Sequence, residues 1–136
     1  SNITDSKTGN HPYLENMMIT RELIANDGST IEVKVGVIGE TLPVLSSKGQ
    51  DFKGVLKVQD IVENVTEQSE KLKEAGADLI VVLAHTGIGP ENPEYGEKNV
   101  AYALTKLDAI DAVLCGHEHN AFPSEDKSGA YYQLSV

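Results

Sequence analysis

The stretch Ala112-Val113-Leu114-Cys115-Gly116-His117-Glu118-His119 leads from an apolar run directly into a pair of histidines. A second apolar run, from Leu79 to Ala84, is followed at once by His85. Short continuous apolar runs between turn residues are typical of strands in a sheet that is covered on both faces. In open α/β sheets, ligands bind where the strands end. The three histidines therefore mark one candidate site at the ends of two predicted strands.

The segments around these two strands predict an α/β fold with a mixed sheet. Turn residues at Asn26–Ser29 separate two alternating β runs, which predicts a β-hairpin. Apolar residues then recur every three or four positions from Val58 to Ala75, as on one face of a helix, and Asp60 with Glu63 resembles a capping box. The full predicted order is a strand at Met17–Ala25, a strand at Ile31–Ile38, an irregular connection at Gly39–Gly54, a helix at Val58–Ala75, a strand at Leu79–Ala84, a loop at Gly87–Gly96, a helix at Val100–Leu107, a strand at Ala112–Cys115 and a last β run at Ala130–Val136. This β-hairpin followed by a βαβαβ pattern implies parallel strands with right-handed crossovers.

Length and composition limit the classes of function. The chain has 136 residues, enough for one ordinary domain. Its formal net charge of -10 disfavours binding to nucleic-acid polymers, although cations could still hold a small anionic substrate locally. No apolar stretch reaches the roughly 18 residues of a membrane span, and the N-terminal residues do not form a signal peptide. The one cysteine, Cys115, excludes an internal disulfide and is expected to be buried and inert within its apolar run.

The spacing of the three histidines favours metal binding. Imidazole is the commonest metal-binding side chain, and neighbouring parallel strands end at the same edge of a sheet, so the rings can converge. On extended backbone the His117 and His119 side chains would share a face, whereas on a turn they would point to two metals. A single structural metal and a metal-free interaction domain remain alternatives at this point. No role is assigned to His11 or to three carboxylates that we expect to be solvated, Asp108, Asp111 and Glu118.

The same residues resemble a known family, the calcineurin-like metallophosphoesterases. Within it they resemble the 5′-nucleotidase branch, and most closely the bacterial 2′,3′-cyclic-nucleotide 2′-phosphodiesterase/3′-nucleotidases. The segments that carry the resemblance are Ala77–Gly87, Gly116–His119, Phe122-Pro123, Thr8-Gly9, Pro12-Tyr13 and Lys34–Gly39. The resemblance covers nearly the whole chain. It departs from the family at Gly39-Glu40-Thr41-Leu42-Pro43, where an aromatic residue usually follows the glycine and a Pro-Pro pair comes next.

The resemblance implies a dinuclear metal centre. Carried over by position, His85 and His117 would bind one metal and His119 the other. The family's N-terminal motifs, an Asp-x-His pair, a bridging Asp and an Asn-His, do not occur here, and Asn10-His11 precedes a proline and is interpreted as coincidence. We therefore expect residues 1–136 to form a single partial metallophosphoesterase domain, part of an αββα sandwich, without the family's C-terminal nucleotide-binding domain. The end of the chain within an apolar β pattern agrees with a piece of a longer protein.

The implied activity of the whole protein is phosphoester hydrolysis by a metal-activated water, with two divalent metal ions such as zinc, manganese or iron. The implied substrates are 2′,3′-cyclic nucleotides and 3′-nucleotides, and the implied location is extracellular, cell-wall or periplasmic. The chain alone is expected to be inactive, and either to be marginally stable or to form oligomers through an unpaired sheet edge. The alternative is a non-catalytic metal-binding or interaction α/β domain. Amidohydrolases also use a His-x-His pair, but early in a barrel, whereas this pair comes late in the chain.

Overall fold

The computed structural model describes residues 1–43 and 54–119, in which a helix covers one side of a four-stranded mixed sheet. The elements are β1 (Ile3–Asp5), β2 (Asn16–Ile24), β3 (Thr30–Glu40), β4 (Leu56–Val58), α1 (Ile61–Glu74), β5 (Leu79–Ala84), α2 (Ala101–Leu104) and β6 (Ala112–Cys115). The main sheet has the order β2-β3-β5-β6, with β2 antiparallel to β3 and with β3, β5 and β6 parallel. The predicted α/β class, with a hairpin that leads into parallel strands, is confirmed.

The β-hairpin closes at the predicted turn. Asp27 Oδ1 accepts a hydrogen bond from the Ser29 N–H at 2.9 Å, and Gly28 has a φ of 83°, a left-handed conformation that favours glycine. Strand β3 is longer than predicted and ends at Glu40, which pairs with Ala84 of β5. The ends of β3 and β5 therefore lie side by side.

A second, two-stranded sheet differs from the sequence-based prediction. Strands β1 and β4 pair antiparallel, and the fully buried Asn2 links them to the end of the main sheet. The Asn2 amide donates to Thr41 O at 2.8 Å and to Gln59 O at 3.0 Å, and its Oδ1 accepts from the Thr41 N–H at 3.0 Å. The prediction of a helix from Val58 was wrong because that residue ends β4. Strands of three residues are too short for an alternating pattern to reveal them.

Helix α1 is capped as its sequence predicts. The Asp60 side chain accepts a hydrogen bond from the Glu63 N–H at 3.0 Å, and Gly76, with a φ of 87°, follows the C-cap. A Cβ at Gly36 of β3 would lie 2.8 Å from Leu72 Cδ1, so the helix approaches the sheet closely at a glycine. One apolar core joins the helix to the sheet, and its members are Ile38, Ile61, Val65, Leu72, Ala77, Ile80, Val82, Ala84, Val100, Leu104 and Ile110.

The opposite face of the main sheet has no helix among the described residues. Along β5, Ile80 and Val82 are fully buried beneath α1, whereas Leu79 and Leu83, which point the other way, are 43% and 47% exposed. By the strand register, the apolar residues of this open face are Met17, Ile19, Leu23, Ile31, Val33, Val35, Val37, Leu79, Val81, Leu83, Ala112 and Leu114. Among residues 1–43 and 54–119 the core of these strands lies on the α1 side alone, so the expectation of a sheet covered on both faces stays a prediction.

The second predicted helix is shorter than its apolar spacing indicated. Only one turn, Ala101–Leu104, is α-helical, and the chain continues through i→i−3 turns such as Leu107 N to Leu104 O at 3.2 Å. The predicted β run Ala130–Val136 lies outside the described residues. Neither of the helices described here has the length and apolarity needed to cross a membrane.

Candidate metal centre

Two of the three candidate histidines meet at the carboxyl edge of the parallel strands. Ala84 pairs with Cys115, so the loops that leave β5 and β6 start side by side. His85 begins the first loop and His117 lies in the second. His117 Nδ1 is 3.3 Å from His85 Nε2, and the ring centroids are 5.0 Å apart at an interplanar angle of 67°. The predicted convergence of these two rings is therefore present.

The spacing of the two nitrogens fits a shared metal ion. Two ligand nitrogens, each about 2.0–2.1 Å from a tetrahedral Zn²⁺, lie about 3.3 Å from one another. Neutral imidazoles present one unprotonated nitrogen each, which is the donor that such a metal needs. His85 and His117 could therefore provide two ligands of one metal without a change in the distance between them.

His119 does not join this pair. It is exposed, and its φ of 57° is the only left-handed value of a non-glycine residue in the described part of the chain. The backbone therefore turns between the two histidines, and the His-x-His pair does not follow the alternation of a strand. Within the two described ranges, no group of three or more His, Cys, Asp or Glu side chains is arranged to hold a metal ion. The assignment of His119 as a ligand stays a prediction.

Three other residues considered in the sequence have partners of their own, outside the histidine pair. His11 Nε2 lies 3.9 Å from Glu15 Oε2, within the N-terminal segment. Asp111 is less solvated than expected, because its Oδ2 accepts a hydrogen bond from the Ile80 N–H at 2.7 Å and joins β6 to β5. Glu118 is exposed, as expected, yet its Oε1 accepts a hydrogen bond from Asn99 Nδ2 at 3.0 Å. Sequence reasoning missed Asn99, since no periodic pattern marks a residue that acts across two loops.

The expectation of a buried Cys115 is wrong. The residue is exposed, because β6 is the last strand in the order of the described sheet and has a neighbour on one side only. The burial of part of the side chain still raises the pKa of the thiol above its ordinary value. A cleft of about 310 Å³ lies along this edge, lined by β6, by the loop after β5 and by His117.

Glu40 is a second feature that sequence reasoning did not assign to the site. It ends β3, and its carbonyl oxygen accepts a hydrogen bond from the His85 N–H at 3.0 Å. Its side chain points to the helix side, where Asn64 Nδ2 donates to Oε1 at 2.7 Å. Burial raises the pKa of the carboxyl to about 7, against the lowering effect of the Asn64 hydrogen bond. Glu40 Oε2 and Asn64 Oδ1 have no hydrogen-bond partner in the described structure.

Comparisons with known proteins agree with this architecture. Residues 8–121 match the sequence profile of the family described as calcineurin-like phosphoesterase. The chain is 38% identical over 124 residues to the trifunctional nucleotide phosphoesterase protein YfkN of Bacillus subtilis, and 33% identical over 128 residues to a 2′,3′-cyclic-nucleotide 2′-phosphodiesterase/3′-nucleotidase of Haemophilus influenzae. These alignments cover 90% and 93% of this chain but only 8% and 19% of the two relatives, so the chain spans a small part of their length.

The structural comparison covers the same region. The crystal structure of the calcineurin-like phosphoesterase YfkN from Bacillus subtilis superposes with a TM-score of 0.85 at 35% identity, over 94% of this chain and 39% of that one. A putative 5′-nucleotidase from Staphylococcus aureus superposes with a TM-score of 0.57 at 23% identity, over 87% of this chain and 23% of that one, and shows likeness of fold alone. The region that matches this chain is therefore less than half of each of these two chains.

Proposed function

Because this chain belongs to the calcineurin-like phosphoesterase family, we propose that it carries part of the metal centre of a nucleotide phosphoesterase. The observation that carries the proposal is the 3.3 Å approach of His85 Nε2 and His117 Nδ1 at the ends of two parallel strands. The names of the two relatives, a nucleotide phosphoesterase and a cyclic-nucleotide phosphodiesterase, support a nucleotide phosphoester as the substrate.

In the proposed site, His85 and His117 hold one divalent metal and His119 holds a second. When bound, such metals activate a water as nucleophile and neutralise charge on the phosphate oxygens. The chain's own contribution is to hold the first two rings at the required spacing, with the His85 backbone fastened to the end of β3 through Glu40 O. Because imidazole binds a metal only when it is neutral, metal binding is expected to weaken in acid.

The domain is proposed to be incomplete within these 136 residues. The chain spans 8% and 19% of its two named relatives, and the described residues bring together two candidate ligands rather than a full set. The open face of the sheet supports the same proposal, since apolar side chains on a sheet are normally covered. The remaining ligands would come from another part of the parent protein, and the chain alone is expected to be inactive.

The specific substrates proposed for the parent protein are 2′,3′-cyclic nucleotides and 3′-nucleotides, hydrolysed with two metal ions such as zinc, manganese or iron. The resemblance supports a location outside the cytoplasm, in the periplasm, cell wall or medium. The net charge of -10 supports a small-molecule substrate held by metals over a nucleic-acid polymer.

Titration of the chain with Zn²⁺ by calorimetry tests the ligand assignment. His85→Ala and His117→Ala are each expected to weaken binding at least about tenfold, because each removes a direct metal ligand. His11→Ala is the matched control, since it removes an imidazole placed beside Glu15, and it should leave the Kd unchanged. Equal binding by the wild type and the His117→Ala variant would overturn the assignment.

A turnover assay tests the proposed incompleteness. With Mn²⁺ or Zn²⁺ and 2′,3′-cyclic AMP or 3′-AMP, the chain alone should release no phosphate and open no cyclic ester. A longer protein that includes this segment should do both, and should lose the activity in a His117→Ala variant. Robust turnover by the chain alone, abolished by the same substitution, contradicts the claim that essential ligands lie elsewhere.

A non-catalytic binding domain is the second candidate function, and the exposed apolar side chains of the open face favour it. Tight binding of one metal, with a large rise in melting temperature and no activity in the longer protein, would support this candidate.

A further inference from the structure

We propose that Asn99 is a positioning residue for the metal centre: its side-chain amide ties the loop that begins with His85 to the loop that carries His117. The inference rests on the proposed function, because a fixed spacing of the two imidazoles matters only if they bind a metal together. It adds a residue at the far end of the loop that begins with His85, just before α2.

A single amide group spans the two loops. Asn99 Oδ1 accepts a hydrogen bond from the Gly87 N–H at 3.0 Å, and Asn99 Nδ2 donates one to Glu118 Oε1 at 3.0 Å. Gly87 lies just after His85 in one loop, and Glu118 directly follows His117 in the other. The bridge therefore holds both loops within two residues of the rings that face each other.

The backbone around Asn99 is anchored on both sides. The fully buried Thr86 hydroxyl donates to Lys98 O at 2.7 Å and accepts from the Val100 N–H at 2.9 Å, so the residues before and after Asn99 are fixed to one side chain. Gly87 and Asn99 also form an isolated parallel bridge. The Asn99 backbone is therefore fixed, so the Asn99 side chain can hold the more exposed His117 loop in place.

Two glycines of the first loop permit this approach. A Cβ at Gly87 would lie 2.5 Å from Asn99 Oδ1 and 2.8 Å from Glu118 Cδ, which leaves room for no other residue while the bridge is in place. Gly89, with a φ of 68°, passes against Asn99 O so closely that an added Cβ would overlap it. Asn99 is thus held against this loop over several residues.

An amide suits this position because it carries a donor and an acceptor on one planar group. A carboxylate at residue 99 would still accept from the Gly87 N–H, but it would repel the carboxylate of Glu118. Residues that orient metal-binding histidines without touching the metal typically change the metal affinity by about 10–100-fold when they are removed. We expect an effect of this order for Asn99.

The test uses N99D and the double variant N99D/E118Q in this chain. N99D keeps the bond to Gly87 and breaks the bond to Glu118, whereas E118Q supplies a new donor that restores the bridge with reversed polarity. In the metal-free chain, the nuclear Overhauser contact between the His85 and His117 rings should be lost in N99D and recovered in the double variant. The Zn²⁺ Kd should rise about tenfold in N99D and return toward the wild-type value in the double variant.

Three further measurements separate the possible failures. N92D adds the same charge at an exposed site in the same loop and should change neither readout. E118A removes the other partner of the bridge, on an exposed side chain. It should lose the ring contact in the same way as N99D, and it replaces N99D in the test if N99D folds poorly. A wild-type chain that binds no Zn²⁺ contradicts the proposed function, yet the metal-free ring contact still decides the role of Asn99. If N99D and E118A both keep the ring contact and the Zn²⁺ affinity of the wild type, Asn99 is not a positioning residue.

Discussion

The two faces of the main sheet have the same chemistry and different surroundings. On the face toward α1, Ile80 and Val82 are fully buried, whereas on the open face Leu79 and Leu83 of the same strand are nearly half exposed. Both pairs are aliphatic, and they alternate along six consecutive residues. A continuous apolar strand therefore shows that both faces are suited to burial, but the chain itself covers only one of them within the described residues.

This difference links the fold to the proposed function. His85 and His117 follow β5 and β6, so the open face and the candidate metal centre share these two strands. The core under the covered face stabilises this chain, whereas the open face is one of the observations that support the proposed incompleteness of the domain. The following predictions separate these two roles.

Ile80→Ala is expected to have the largest effect. It removes a fully buried side chain from the core under α1 and should lower the free energy of unfolding by about 2–5 kcal/mol. Leu79→Ala, the adjacent residue on the open face, should cost less than about 1 kcal/mol, because nearly half of its surface is already in water. Urea denaturation of both variants measures the difference, and equal losses would mean that the open face is covered in solution.

Glu40→Gln should have the next largest effect, and it should stabilise the chain. The folded-state pKa of about 7 lies above the ordinary 4.5, so the native state binds more protons than the unfolded state between these values. The contribution of Glu40 to stability is therefore fully present below pH 4.5 and is lost as the pH rises through 7, by at most about 3 kcal/mol. The glutamine removes this loss and offers a donor to Asn64 Oδ1, which has no partner in the described structure.

Denaturation curves at pH 5 and pH 8 check this prediction. The difference in free energy of unfolding between the two pH values should shrink in Glu40→Gln. It should persist in Glu70→Gln, a control at an exposed position of α1. An unchanged pH dependence in the Glu40 variant would show that this carboxyl is already ionised in the folded chain at pH 5.

Leu83→Lys should have the smallest effect on the stability of this chain. The side chain is 47% exposed on the open face, and substitutions at such positions usually change stability by about 0.5 kcal/mol or less. The charge should nevertheless reduce self-association in sedimentation experiments, because it interrupts the apolar face. Ile24→Lys, at a side chain 82% exposed and outside that face, is the control and should leave self-association unchanged.

Much of the fold could be predicted from the sequence because its signals are local. The boundaries of β5 and β6 follow from apolar runs, and the start of α1 follows from Asp60, whose cap acts within three residues. The short strands β1 and β4 gave no such signal, since their pairing joins segments more than 50 residues apart. Burial was predicted less well: Cys115 lies in an apolar run and is exposed, because β6 is the last strand of the sheet among residues 1–43 and 54–119.

The sequence by itself determined the order of the longer elements, the membership of the family and the three histidines that follow two strands. Only the tertiary structure decided which of these residues meet. The contacts that build the site join residues 32 positions apart for His85 and His117, 19 apart for Asn99 and Glu118, and 24 apart for Glu40 and Asn64. Local propensity acts over a few residues, whereas such contacts form only after the parallel strands have aligned their ends. The chemistry of the site therefore depends on the sheet register, which no single segment encodes.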